Sequence, residues 1–153
     1  MEDTMQQTLI ETVAEVFETM FFTFLEPIAD SSSDEELPGQ GNFIESVISY
    51  EGDFSGEFVF YFPRELAESI TVNFLGIDDD ELEDSQVIDT ASETVNMVVG
   101  SFLGKMDPHG NCALGIPDST EVADFSPAAL QDDPSLCVFN TEFGMMLVIH
   151  EGS

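Results

Sequence analysis

Apolar residues recur at a helical period near the start of the chain. Leu9, Val13, Val16, Phe17, Met20 and Phe24 share one face at about 100° per residue. The pattern predicts a helix over residues 4–26, opened by a Thr4/Gln7 capping box. Pro27 ends it, because a residue before proline avoids the α region. Asp30 to Gln40 is Ser/Asp/Glu-rich and closes on Pro38-Gly39, which reads as a flexible acidic loop at about 30–42. The period then changes to two. Phe43 to Tyr50 and Glu57 to Phe62 are strand candidates, joined by a turn over Glu51 to Gly56. A hairpin is expected, with Phe58, Phe60 and Phe62 on one face. Pro63 suits a helix start, Arg64 to Leu75 has helical spacing, and Gly76 suits a C-terminal stop.

A longer helix is predicted from Ser85 to Met106. Val87, Ile88, Ala91, Val95, Val98, Val99, Phe102 and Met106 form its core stripe. Asp89, Glu93, Asn96, Met97, Gly100 and Gly104 project from the other side. Asp107-Pro108-His109-Gly110 breaks the helix, and Lys105 just before it suits the helix dipole. Asn111 to Ile116 is a strand candidate, and Pro117 to Pro134 reads as loop with a short extended piece. Leu136 to Thr141 and Gly144 to His150 predict a closing hairpin. The order implies a single α+β domain over residues 1–153. It would be a mostly antiparallel sheet packed by about three helices, one of them long.

Charge changes the picture. There are 32 acidic residues against Arg64 and Lys105, a formal net charge of −30. Such a surface repels nucleic-acid phosphates and anionic membranes. Three readings of the charge stay open: solubility or salt tolerance, steering of a basic partner, and mimicry of nucleic acid. Cys112 and Cys137 are far apart and lie in no CxxC, so two buried free thiols are expected, with one disulfide as the alternative, and no metal site. An EF-hand count from Asp78 fails, with Glu83 where glycine is needed and Asp89 where glutamate is needed. Those carboxylates suit the N-terminus of the next helix. The opening Met1-Glu2-Asp3 lacks a basic signal region, and Met20 to Leu25 is too short to span a bilayer, so a cytoplasmic location is expected.

The outer face of the long helix carries the candidate chemistry. Glu93 and Asn96 are i and i+3, hence neighbours on the surface. Gly100 lies one turn beyond. A mid-helix glycine costs on the order of 1 kcal/mol against alanine, and core packing does not explain one that points outward. Close approach of another molecule would. The plain alternative is a solvated polar face.

The segment Asp89-Thr-Ala-Ser-Glu93-Thr-Val-Asn96-Met97-Val-Val-Gly100 resembles the Glu-x-x-Asn signature of the CheX branch of the CheC/CheX/FliY chemotaxis phosphatases. The hairpin over Val47 to Phe62, the helix from Pro63 to Gly76, Leu114-Gly-Ile-Pro117 and the final hairpin resemble the family's elements, from about Leu9 to His150. The first helix reads Glu11-Thr-Val-Ala14 and Glu15-Val-Phe-Glu18, without the second motif of CheC, so one site is expected.

The resemblance implies a phosphatase that removes an aspartyl phosphate from a CheY-type response regulator. Asn96 would orient the water, and Glu93 would pair with the regulator's lysine. Asp89, Met97 and Gly100 would form the docking surface. No cofactor of its own is implied; Mg²⁺ would sit on the regulator. A homodimer joined through its sheets is implied as well. The alternatives are a non-catalytic regulator-binding module of the same fold, an acidic nucleic-acid mimic, and a hydrolase using Asp89 and Glu93 as paired carboxylates.

Overall fold

A computed structural model describes residues 2–28 and 39–152. In chain order the elements are α1 (Glu2–Phe21), β1 (Glu26–Ile28), β2 (Gly41–Glu51), β3 (Gly56–Pro63), α2 (Arg64–Leu75) and α3 (Asp84–Met106). There follow β4 (Ala113–Leu114), β5 (Asp118–Phe125), β6 (Cys137–Thr141) and β7 (Gly144–Gly152). Short 3-10 turns cover Asp79–Glu81 and Pro127–Leu130. The fold is α+β, as the sequence predicts. The strands form one antiparallel sheet in the order β1-β6-β7-β3-β2-β4, with β5 also pairing with β2.

The alternation of β3 decides where the helices go. Phe58, Phe60 and Phe62 are fully buried on one face. They share a core with Val13 and Phe17 of α1, Leu66 and Ile70 of α2, and Val95 and Phe102 of α3. The other face carries a smaller core of Phe43, Tyr61, Leu136, Val138, Leu147 and Ile149. Phe125 closes it, stacked on Tyr61 at 4.4 Å between ring centroids.

The expected central hairpin forms, in a register that sets Ile48 opposite Phe58. Pro63 is the residue before α2, and Gly76 ends that helix in the left-handed region at φ 65°. The acidic run Asp78 to Glu81 caps its own 3-10 turn, with the Asp78 N–H donating to Glu81 Oε1 at 3.2 Å. Glu83 at the end of the segment caps α3 in a box with Gln86, its N–H donating to Gln86 Oε1 at 2.8 Å. The expected acidic loop lies mostly outside the described residues.

Four expectations need correction. First, α1 starts before Thr4 and stops at Phe21, not near residue 26. Phe22 takes a left-handed φ of 52°, and the Phe21 carbonyl accepts from Asn73 Nδ2 at 2.8 Å and from Thr23 Oγ1 at 3.0 Å. A carbonyl held by α2 cannot continue the helix, so Phe24 leaves the predicted stripe and stands 77% exposed. Second, Pro27 belongs to β1, an edge strand where the missing N–H is tolerated. Third, the short extended piece expected between Pro117 and Pro134 is a full strand, β5, which pairs with β2 from Asp118 to Phe125. Its residues alternate weakly because none is fully buried, so period gives no signal. The Asn111 to Ile116 strand shrinks to Ala113–Leu114. Fourth, both cysteines are free, but only Cys137 is buried and Cys112 is half-buried.

Candidate active site on the third helix

The core side of α3 is built as its spacing predicts. Val87, Ala91, Val95, Val98 and Val99 are fully buried and Phe102 nearly so, while Ile88 and Met106 are only partly covered. Thr90, Thr94 and Leu103 are buried too, which the projection misses. Thr94 tolerates burial because its hydroxyl donates to the Thr90 carbonyl at 2.7 Å.

The opposite side is open. Asp89, Glu93 and Gly100 are exposed, Asn96 is half-exposed, and Met97 is partly buried against the core edge. All five predicted site residues therefore lie along one flank of α3, with Glu93 and Asn96 as neighbours across one turn. Among the described residues, no side-chain hydrogen bond or ion pair engages Glu93 or Asn96. Both heads are free to meet an incoming molecule.

Gly100 and Gly104 are not required by anything inside the chain. A β-carbon at Gly100 would meet only Leu114 Cδ2, at 3.8 Å, which is ordinary contact. At Gly104 it would meet nothing within 4 Å. At these two positions the flank is left bare of side chains without an internal steric cause.

Three serines fix the rotation of α3 beside the motif. The Ser119 hydroxyl on β5 lies 2.6 Å from the Ser92 hydroxyl and 2.6 Å from that of Ser46 on β2. Ser92 immediately precedes Glu93, so this chain of hydroxyls pins the turn that carries the motif to the sheet edge. Sequence reasoning does not find these serines, since an isolated serine has no periodic signal.

Electrostatics isolates the flank. Arg64 is held by Asp84 at 2.6 Å, Glu121 at 3.0 Å and Glu68 at 3.8 Å. Lys105 is held by Glu15 at 3.2 Å and donates to Thr12 Oγ1 at 3.0 Å. Both cations of the chain are thus used inside it, tying α2 to α3 and β5, and α3 to α1. Among the described residues, the grouping of acidic side chains close enough to share an ion is Asp78, Asp80 and Glu81, all exposed on the turn before α3. It contains neither Asp89 nor Glu93. No helix among the described residues is long and apolar enough to cross a membrane.

The profile of the chemotaxis phosphatase CheX family matches residues 44–140, a span that includes α3. This chain belongs to the CheX family. Solved structures agree on the fold. A CheC-like superfamily protein from Shewanella sp. PV-4 superposes with a TM-score of 0.73 at 17% identity, covering 97% of each chain. CheX from Vibrio vulnificus gives 0.72 at 20% identity, covering 95% of this chain and 97% of that one. The CheX–CheY–BeF₃–Mg²⁺ complex from Borrelia burgdorferi gives 0.67 at 14% identity, covering 95% and 96%. No curated protein sequence matches the chain. CheX membership makes this a chain of a phosphatase family, with its Glu-x-x-Asn pair on an open helix flank.

Proposed function

We propose that this protein hydrolyses the aspartyl phosphate of a CheY-type response regulator, with Asn96 orienting the attacking water and Glu93 docking the regulator's active-site lysine. The observation that carries the reading is the pair itself, two neighbouring polar heads on an open flank with no partner of their own among the described residues. The Borrelia burgdorferi protein of the same fold is held together with CheY, beryllium fluoride and magnesium, which makes a phosphorylated regulator the natural substrate here.

The chemistry asks little of the phosphatase. Water attacks phosphorus in line, the bond from phosphorus to the acyl oxygen breaks, and the aspartate leaves as carboxylate with inorganic phosphate as the other product. The transition state is loose, so positioning and charge neutralisation dominate. The regulator brings Mg²⁺ and a lysine. An asparagine amide both donates and accepts, so it can hold the water toward phosphorus. Glu93 aligns the two proteins by pairing with the lysine, and Asp89, Met97 and Gly100 form the surface on which the regulator rests. A homodimer joined through its sheets and a cytoplasmic location belong to the same reading.

The test follows aspartyl-phosphate decay on a CheY-type regulator with wild type, Asn96→Ala and Glu93→Ala. Asn96→Ala should lower kcat by about 10²-fold, the scale of losing one positioned polar group, with regulator binding retained. Glu93→Ala should weaken binding. Binding without acceleration by wild type would instead make the chain a non-catalytic regulator-binding module.

A further inference from the structure

The edge of the sheet beside α3 contains an irregularity. Leu114 pairs with Tyr50, and Asp118 pairs with Val47. Between those rungs Ile48 and Ser49 of β2 are opposed by Gly115, Ile116 and Pro117, so the edge chain carries one residue too many. This is a β-bulge. Gly115 holds it against β2: its N–H donates to the Ser49 carbonyl at 2.7 Å, and a β-carbon there would lie 3.0 Å from that oxygen. The surplus length is expelled at Ile116, which is 91% exposed, the most exposed large apolar side chain among the described residues. Bulges commonly re-aim a side chain beside a functional site.

Two contacts place this bulge along α3. On one side Leu114 lies against Gly100, and on the other Ser119 is bonded to Ser92. Ile116 is therefore bracketed at the level of the turns between Ser92 and Gly100, which bear Glu93, Asn96 and Met97. The stretch from Gly110 to Pro117 contains no acidic residue, in a chain with 32 of them. A ledge with no acidic side chain of its own, bordered by Asp118 and by Asp53 bonded to Asn111, thus presents one projecting isoleucine beside the motif. A phosphorylated regulator pocket is itself negative, so a stretch lacking carboxylates of its own lowers the electrostatic cost of its rim's approach.

We infer that Ile116 is a docking residue: the bulge presents it as an apolar contact to the response regulator, alongside Glu93 and Asn96. This rests on the phosphatase reading above. Ile116 acts by positioning and touches no reacting atom. Covering a side chain of that size contributes roughly tenfold or more to affinity.

The test measures kcat and KM for regulator dephosphorylation, and Kd for the beryllium-fluoride-activated regulator, with wild type, Ile116→Ser and Ile116→Leu. Thermal melts verify that all three fold. Ile116→Ser should raise KM and Kd about tenfold with kcat unchanged, and Ile116→Leu should restore both. Unchanged KM and Kd in Ile116→Ser overturn the inference. So does a change confined to self-association in sedimentation, which would make Ile116 a contact between copies. If wild type binds the activated regulator without accelerating decay, the phosphatase reading fails, and the Kd arm still decides the role of Ile116. If wild type does neither, both fail.

Discussion

The Tyr50 hydroxyl and His150 Nε2 lie 2.6 Å apart, bonded across β3, whose Gly56 faces Tyr50. A β-carbon at Gly56 would fall 2.5 Å from that hydroxyl, so the glycine leaves the passage through which Tyr50 and His150 meet. The imidazole stacks on Phe58 with 4.2 Å between ring centroids, and the backbone N–H of His150 donates to Ser135 Oγ at 3.3 Å. The Tyr50–His150 bond closes the end of the sheet under the C-terminal part of α3, where Phe102 packs edge-on to Phe58 and His150.

Burial pushes the His150 pKa below the ordinary 6.5. The folded state therefore favours the neutral ring, and the unfolded chain takes up the proton first as pH falls. The stability from this group is whole above about pH 6.5 and is lost as pH drops through the lower folded value. Urea unfolding of wild type and His150→Gln should show the wild-type advantage shrinking between about pH 7.5 and pH 5. Taking the difference removes the common effect of protonating carboxylates.

Arg64 faces Asp84, Glu121 and Glu68 with its own side chain only 19% exposed. Arg64→Met should destabilise by about 1–2 kcal/mol, several partly exposed pairs at up to about 1 kcal/mol each. It leaves three carboxylates facing one another in a chain of net charge −30. Salt screens that repulsion, so added NaCl should raise the melting temperature of wild type and raise that of Arg64→Met more. Thermal melts at low and high salt check both.

Gly100 and Gly104 separate stability from function. Neither position is crowded, so Gly100→Ala should stabilise by about 0.5–1 kcal/mol through helix propensity. Gly104 lies in the last turn and should gain less. If the regulator rests on Gly100, Gly100→Leu lowers kcat/KM by about tenfold or more while Gly104→Leu does not. Equal activity in both leucine variants would remove Gly100 from the docking surface.

Much of the candidate site is legible before the fold is known. The stripe from Val87 to Phe102 orients α3, and its complement delivers Asp89, Glu93, Asn96, Met97 and Gly100 to the open flank. Ser46, Ser92, Ser119 and Ile116 are not legible. Their meaning comes from neighbours such as Ser119 to Ser46, 73 residues apart in the chain.

The amino-acid sequence by itself determined what each segment must bury, because burial imposes a period: the alternate phenylalanines of β3, the stripes of α2 and α3, and the Glu93/Asn96 face left over. It also determined the net charge and the CheX signature. Only the tertiary structure decided where α1 stops, that the extended piece after Pro117 runs as a strand from Asp118 to Phe125, and that Ile116 is expelled from the sheet edge. Each of these depends on a backbone hydrogen-bond partner supplied by a distant segment. Asn73 captures the Phe21 carbonyl, and β2 offers its free edge to a polar strand with no apolar face of its own. Periodicity reports burial, and it is silent about where a backbone group finds its partner.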